Sequence, residues 1–158
     1  MPYNSPREVI NAVKNHFSLL ELGQLYLNAG ASMVLHGLKK KTSDLDIFIP
    51  DAAHFMIAAR LRDAEIQTSP YTGHLYFKIG KDIEVFTRSP VDPTGQYGVT
   101  EGLENTSGVR HTTVDQLTRW YEYAIEHFGR RQKDIDSLGM IQLRNKVREA
   151  VSREQHAE

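Results

Sequence analysis

The chain of 158 residues contains no cysteine. That excludes disulfide staples and thiolate metal ligands, and it agrees with a reducing compartment. It carries no surplus of charge either: 19 Lys and Arg stand against 20 Asp and Glu, a formal net charge of −1. A near-neutral molecule is no electrostatic magnet for a long nucleic-acid track, so phosphate binding has to come from local basic clusters. No apolar run approaches the roughly 20 residues that cross a bilayer. No signal-peptide pattern opens the chain, because Pro6, Arg7 and Glu8 interrupt it early. Internal repeats and low-complexity tracts are missing too. These absences point to a soluble cytoplasmic protein without a membrane role. What is present, 40% hydrophobic and 25% charged residues, suits one globular domain or a small core with an appended helical lobe. Such a chain buries roughly two thirds of its unfolded surface and needs no staples.

The pattern of the chain alternates helix and strand. NSPREVINAVKNHFSLL predicts a helix, with Ser5 as cap, Pro6 in the first turn and Glu8 closing a capping box. QLYLNAG reads as a short strand, ASMVLHGL as a short helix closed by Gly37, and SDLDIFIP as a strand stopped by Pro50. DAAHFMIAARLRDA is a helix capped by Asp51. HLYFKI and DIEVFTR, joined by Gly80-Lys81, predict a hairpin. The Pro-, Gly- and Thr-rich stretch 89–108 reads as one long loop. Two helices follow, TTVDQLTRWYEYAIEHF and RRQKDIDSLGMIQLRNKVREAV, and the polar tail is expected to fray. The expected fold is α/β (α+β): a small mixed β-sheet core with packed helices over 1–110, a C-terminal helical segment over 111–150 and a flexible tail over 151–158.

Chemistry concentrates in Asp44-Leu45-Asp46. Residues two apart on a strand share a face, so the two carboxylates project together. Adjacent like charges repel unless a cation sits between them, and Mg²⁺ prefers hard oxygen ligands of this kind. Taken alone, the tripeptide reads first as a solvated, structural strand end. Glu84, in Asp82-Ile83-Glu84-Val85, offers a third carboxylate if its strand is a neighbour, and three acids make a two-metal site possible. Upstream, Gly30 at a strand-to-helix junction and the hydroxyl of Ser32 read as a phosphate cradle or as an ordinary capped turn. Lys39, Lys40 and Lys41 read as a solvated turn or as triphosphate ligands. The seven histidines are scattered. His36 reads as a packed residue beside Gly37, and His74 and His111 as surface residues.

The run LNAGASMVLHGLKKKTSDLDIFI resembles the signature of the nucleotidyltransferase superfamily that includes DNA polymerase β. The nearer likeness is to its small bacterial branch of abortive-infection toxins and aminoglycoside nucleotidyltransferases. Gly30, His36-Gly37, Lys40, Thr42, Asp44 and Asp46 occupy the motif's places, and Glu84 falls where the third acid lies. Downstream, VDQLTRWYEYAIEHFGRRQKDIDSLGMI is similar to the family's helical segment, with Arg130 or Arg131, Lys133, Asp134 and Asp136 fitting its polar positions. Two departures stand out: Ala29 replaces the first glycine of the usual pair, and Tyr121 replaces a helical lysine.

The resemblance implies transfer of a nucleoside monophosphate from an NTP to an acceptor hydroxyl, with release of pyrophosphate. It implies one or two Mg²⁺ ions held by Asp44, Asp46 and Glu84, with Glu84 or Asp82 as alternative general base. It implies nucleotide contacts from Gly30, Ser32, Lys40, Thr42, Arg131 and Lys133. The acceptor is open among a small molecule, RNA and a protein hydroxyl, and the toxin likeness implies an antitoxin-like protein partner. The alternative is a degenerate member that binds nucleotide or a protein without transfer, which Ala29 and Tyr121 favour.

Overall fold

The computed structural model describes residues 3–70, 73–87 and 101–155. It divides into two compact units, 1–113 and 114–158.

The first unit opens with helix α1, Pro6–His16. Ser5 caps it by accepting from the amide of Glu8 at 3.2 Å, while the Glu8 carboxylate reaches back to the amide of Asn4. The predicted helix does not run on to Leu20. It stops at Phe17, and Ser18 starts the separate one-turn helix α2, Leu19–Leu22, through a capping box with Glu21. The competing cap breaks the apolar period. Strand β1, Tyr26–Asn28, leads into helix α3, Ala29–Leu35, and β2, Leu45–Phe48, leads into helix α4, Ala52–Leu61. Asp51 caps α4 through the amide of His54 at 3.0 Å, and the bonded amides and the His54 charge lower its carboxyl pKa.

Strands β3, Gln67–Thr68, β4, Leu75–Ile79, and β5, Ile83–Phe86, complete one side of the sheet. The predicted β4–β5 hairpin forms, with Gly80 at φ 64° in its turn. The predicted loop over 89–108 is corrected at its end: Glu104–Thr106 and Val109–His111 are strands β6 and β7. They form a two-residue hairpin whose turn, Ser107-Gly108, has φ 53° and 90°. Positive φ at both central positions is the primed turn that matches strand twist. Residues 89–100 of that expected loop lie outside the described residues.

The seven strands make one mixed sheet in the order β3-β4-β5-β2-β1-β7-β6. Alternation sends Leu25, Leu27, Leu45, Ile47, Phe77, Ile83 and Val85 to one face, where they form the core with Val9, Val13, Val34 and Phe55 of the helices. The other face carries two rows that run across four strands. One is aromatic: Tyr26 stacks on Phe48 at 5.5 Å, Phe48 on Phe86 at 5.3 Å, and Phe86 meets Tyr76 at 5.6 Å. Each pair adds about 0.5–1.5 kcal/mol beyond its burial. The row beside it is polar.

The second unit is a packed pair of helices, α5, Val114–His127, and α6, Gln132–Gln155. Gly129, at φ 83°, follows α5. Helix α6 continues through Gln155, beyond the expected fraying point, because nothing in Ser152-Arg153-Glu154-Gln155 breaks it. No helix among the described residues is long and apolar enough to cross a membrane.

Candidate functional site

The polar row consists of Asn28, Asp46, Glu84 and Lys78, which are partners in register on β1, β2, β5 and β4. Strands β2 and β5 are parallel, so Asp46 and Glu84 stand directly side by side on the face away from the helical core. Both are half-buried. Two carboxylates so placed repel each other. Lys78 Nζ, 3.9 Å from Glu84 Oε1, offsets part of that repulsion.

Asp44 lies in the approach to β2 and is exposed. Its level of the sheet is that of Asp82, whose carbonyl accepts from the amide of Leu45 at 2.8 Å. The Tyr3 hydroxyl donates to Asp82 Oδ2 at 2.9 Å. Burial, that hydrogen bond and the charges of Asp82 and Asp44 push the Tyr3 pKa up to about 12. The N-terminal strip is thus tied to the carboxylate end of the sheet, and a Tyr3–Thr42 backbone bridge holds it there.

Gly30 and Thr42 come together. A Cβ on Gly30 would lie 2.5 Å from Thr42 Oγ1 and 3.3 Å from Thr42 Cβ. Thr42 Oγ1 donates to the carbonyl of Asp44 at 3.0 Å, so the glycine leaves room for the residue that fixes the approach to Asp44. Ala29, beside it, has φ 53°. That is left-handed backbone, which the usual glycine would adopt without steric cost. Ser32 is fully buried, and its hydroxyl donates to the carbonyl of Thr112 at 2.8 Å. Lys40 is exposed.

In the second unit Arg131 pairs with the buried Asp134 at 2.9 Å and lies over the Phe128 ring at 5.6 Å. Lys133 is exposed. Tyr121 is a core residue of α5, 3% exposed, on the same buried face as Leu117 and Ala124.

His74 and His111 are each 1% exposed, not surface residues. Among the described residues, one group of His, Asp and Glu side chains brings three ligand atoms within 4.8 Å of one another: His36, Glu104 and His111. Asp46 and Glu84 share a sheet face, with Asp44 on the approach to β2, and these three do not form such a group. His36 closes α3, while Glu104 and His111 are partners across β6–β7. Burial, and the nearby charge of His36, lower the His111 pKa. The signal for the Glu104–His111 pair, though not for His36, was the Ser-Gly turn dipeptide between them, which marks a hairpin and so sets Glu104 opposite His111. Asn28 was also missed. It is buried, in register with Asp46, and its Oδ1 accepts from the Thr112 hydroxyl at 3.0 Å.

No protein-family model matches the chain, and no curated protein sequence does. Solved structures do. The chain is similar to the solution structure of the antibiotic-resistance factor ANT(2'')-Ia, at 15% identity over 96% of this chain and 94% of that one, with a TM-score of 0.56. A crystal structure of ANT(2'')-Ia in complex with adenylyl-2''-tobramycin matches at 16% identity over 95% and 99% of the two chains, with a TM-score of 0.49. ANT(2'')-Ia is an aminoglycoside nucleotidyltransferase. With its mixed sheet and packed helices, this chain shares the fold of ANT(2'')-Ia.

Proposed function

We propose that the protein is a metal-dependent nucleotidyltransferase that moves a nucleoside monophosphate from an NTP to an acceptor hydroxyl and releases pyrophosphate. The observation that carries this reading is the register of Asp46 with Glu84 on neighbouring parallel strands, on the sheet face away from the helical core. The donor set fits Mg²⁺, since hard carboxylate oxygens are what it selects. Asp44, Asp46 and Glu84 would hold it, and when bound it would neutralise phosphate charge and acidify the acceptor hydroxyl.

The chain's own residues do the rest. Glu84, half-buried beside Lys78, would alternatively take the acceptor proton as general base instead of holding metal, and Asp82, bonded by Tyr3, is the less favoured candidate for that role. The amides after Gly30, together with Lys40 and Thr42, orient the phosphates, and Thr42 also fixes Asp44 through its carbonyl. Ser32 joins them by exchanging the Thr112 carbonyl for a phosphate oxygen. Arg131 and Lys133 are the nucleotide contacts proposed on the second unit. The acceptor is a hydroxyl of a small molecule, an RNA or a protein. The aminoglycoside product in the ANT(2'')-Ia complex makes a polyhydroxylated small molecule the first to try.

A second reading is nucleotide binding without transfer. The buried, already bonded Ser32 hydroxyl and the core placement of Tyr121 favour it. Incubation with each α-labelled NTP, Mg²⁺, and either a cell extract or an aminoglycoside panel separates the two. Label transferred to an acceptor supports the enzyme. Thermal stabilisation by NTP with no label transferred supports the binder.

A further inference from the structure

We propose that His36, Glu104 and His111 form a site for a divalent transition metal of the zinc class, made of different residues from the β2–β5 carboxylates. The donor chemistry points there first. Two imidazoles and one carboxylate suit Zn²⁺, whereas Mg²⁺ takes oxygen ligands. Their ligand atoms lie within 4.8 Å of one another. His36 Nδ1 and Glu104 Oε2 are 3.6 Å apart, against the roughly 3.3–3.4 Å that separates two ligands of a tetrahedral ion with bonds of about 2.0–2.1 Å.

The hydrogen bonds aim the ligands. The Thr112 carbonyl can only accept, so His36 Nε2, 2.8 Å away, carries a hydrogen and donates it. In the neutral ring that leaves the Nδ1 lone pair facing the Glu104 carboxylate. A proton on Nδ1 satisfies the pair as an ion pair, and a metal ion between the nitrogen and the carboxylate would take that proton's place. A backbone carbonyl on the far nitrogen of a ligating histidine is the usual outer-shell support. The His111 ring meets the Thr106 hydroxyl at Nε2, 2.8 Å away, and Ser32 Oγ at Nδ1, 3.5 Å away. Whichever nitrogen binds metal, the other keeps a hydroxyl partner. The two rings already meet edge to face, with centroids 4.9 Å apart. Glu104 is half exposed and gives an ion a route in from solvent, while His36 and His111 are enclosed. Three protein ligands leave a further position for water. The ion would fasten the C-terminal end of α3 to the β6–β7 hairpin.

The test titrates chelator-treated full-length protein with Co²⁺, the visible stand-in for Zn²⁺, with Mg²⁺ in excess. The expected result is one equivalent of Co²⁺ with ligand-field bands, displaced by Zn²⁺, and a Zn²⁺-dependent rise in melting temperature. Glu104→Gln and His36→Asn should weaken binding at least about tenfold and remove the thermal rise, with their unliganded melting curves reporting that they fold. Asp46→Asn should bind Co²⁺ like the parent, which keeps this site separable from the carboxylates. No saturable binding, unchanged affinity in Glu104→Gln and His36→Asn, or loss of binding in Asp46→Asn would overturn the proposal.

Discussion

Gly30→Ala is the most informative change in stability. The new Cβ would meet Thr42 Oγ1 at 2.5 Å and Thr42 Cβ at 3.3 Å. Either Thr42 turns away and gives up its bond to the Asp44 carbonyl, worth about 1 kcal/mol, or α3 and the segment before β2 part. Overpacking of this kind costs about 1–3 kcal/mol. At about 2–4 °C per kcal/mol for a chain of this size, the melting temperature should fall by about 2–12 °C. Calorimetry or circular dichroism measures it. Thr42→Ala removes the clashing oxygen, so in that background the Gly30→Ala penalty should shrink by about half or more, and a double-mutant cycle reads the coupling. If Gly30→Ala melts like the parent, or costs as much without the Thr42 hydroxyl, the contact between the glycine and the carboxylate approach is not as described.

Other outcomes follow from individual residues. Ala29→Gly should raise stability by about 0.5–1 kcal/mol, since left-handed backbone costs alanine about 1–2 kcal/mol and glycine loses part of that gain as unfolded-state entropy; chemical denaturation checks it. The Tyr3 pKa is raised from 10.0 to about 12, so the folded state holds its proton longer than the unfolded state. Stability should then decline as pH climbs from about 10 to 12, and Tyr3→Phe should flatten that decline in a pH series of melts. Glu21 takes a paired bond from Arg62, at 2.8 and 3.0 Å, and this bond, ahead of the opposing effect of burial, lowers its pKa from 4.5. The stability it adds is present above that value and lost as pH falls, so Glu21→Gln should lower the melting temperature at pH 7 and bring the two proteins together in acid.

Local signals in the sequence were readable where they involve neighbours along the chain. Ser5 and Asp51 cap their helices, alternation sorts Leu45 and Ile47 from Asp46, and Ile83 and Val85 from Glu84. Each rests on period or side-chain reach. The side-by-side pairing of β2 with β5 is different. It joins residues about forty positions apart, and only the sheet order brings Asp46 to Glu84. The break at Phe17 was legible in Ser18–Glu21, but the apolar period running past it masked a cap. The β6–β7 hairpin was hidden for a similar reason: its strands are three residues long and follow a Pro- and Gly-rich stretch. With the hairpin unseen, His111 read as a surface residue, and its meeting with His36 had no sequence signal at all. Tyr121 read as a lost lysine, whereas its burial with Leu117 and Ala124 makes it part of the helical core.

The central claim is that Asp46 and Glu84 act together on a nucleoside triphosphate. It is tested most directly by pyrophosphate release from NTP with Mg²⁺ and an acceptor, comparing the parent with Asp46→Asn and Glu84→Gln, both checked for unchanged melting. Mg²⁺-dependent release by the parent and a loss of at least about 100-fold in each variant are the expected results. Equal release by parent and variants, or release by the parent that ignores Mg²⁺, would contradict it.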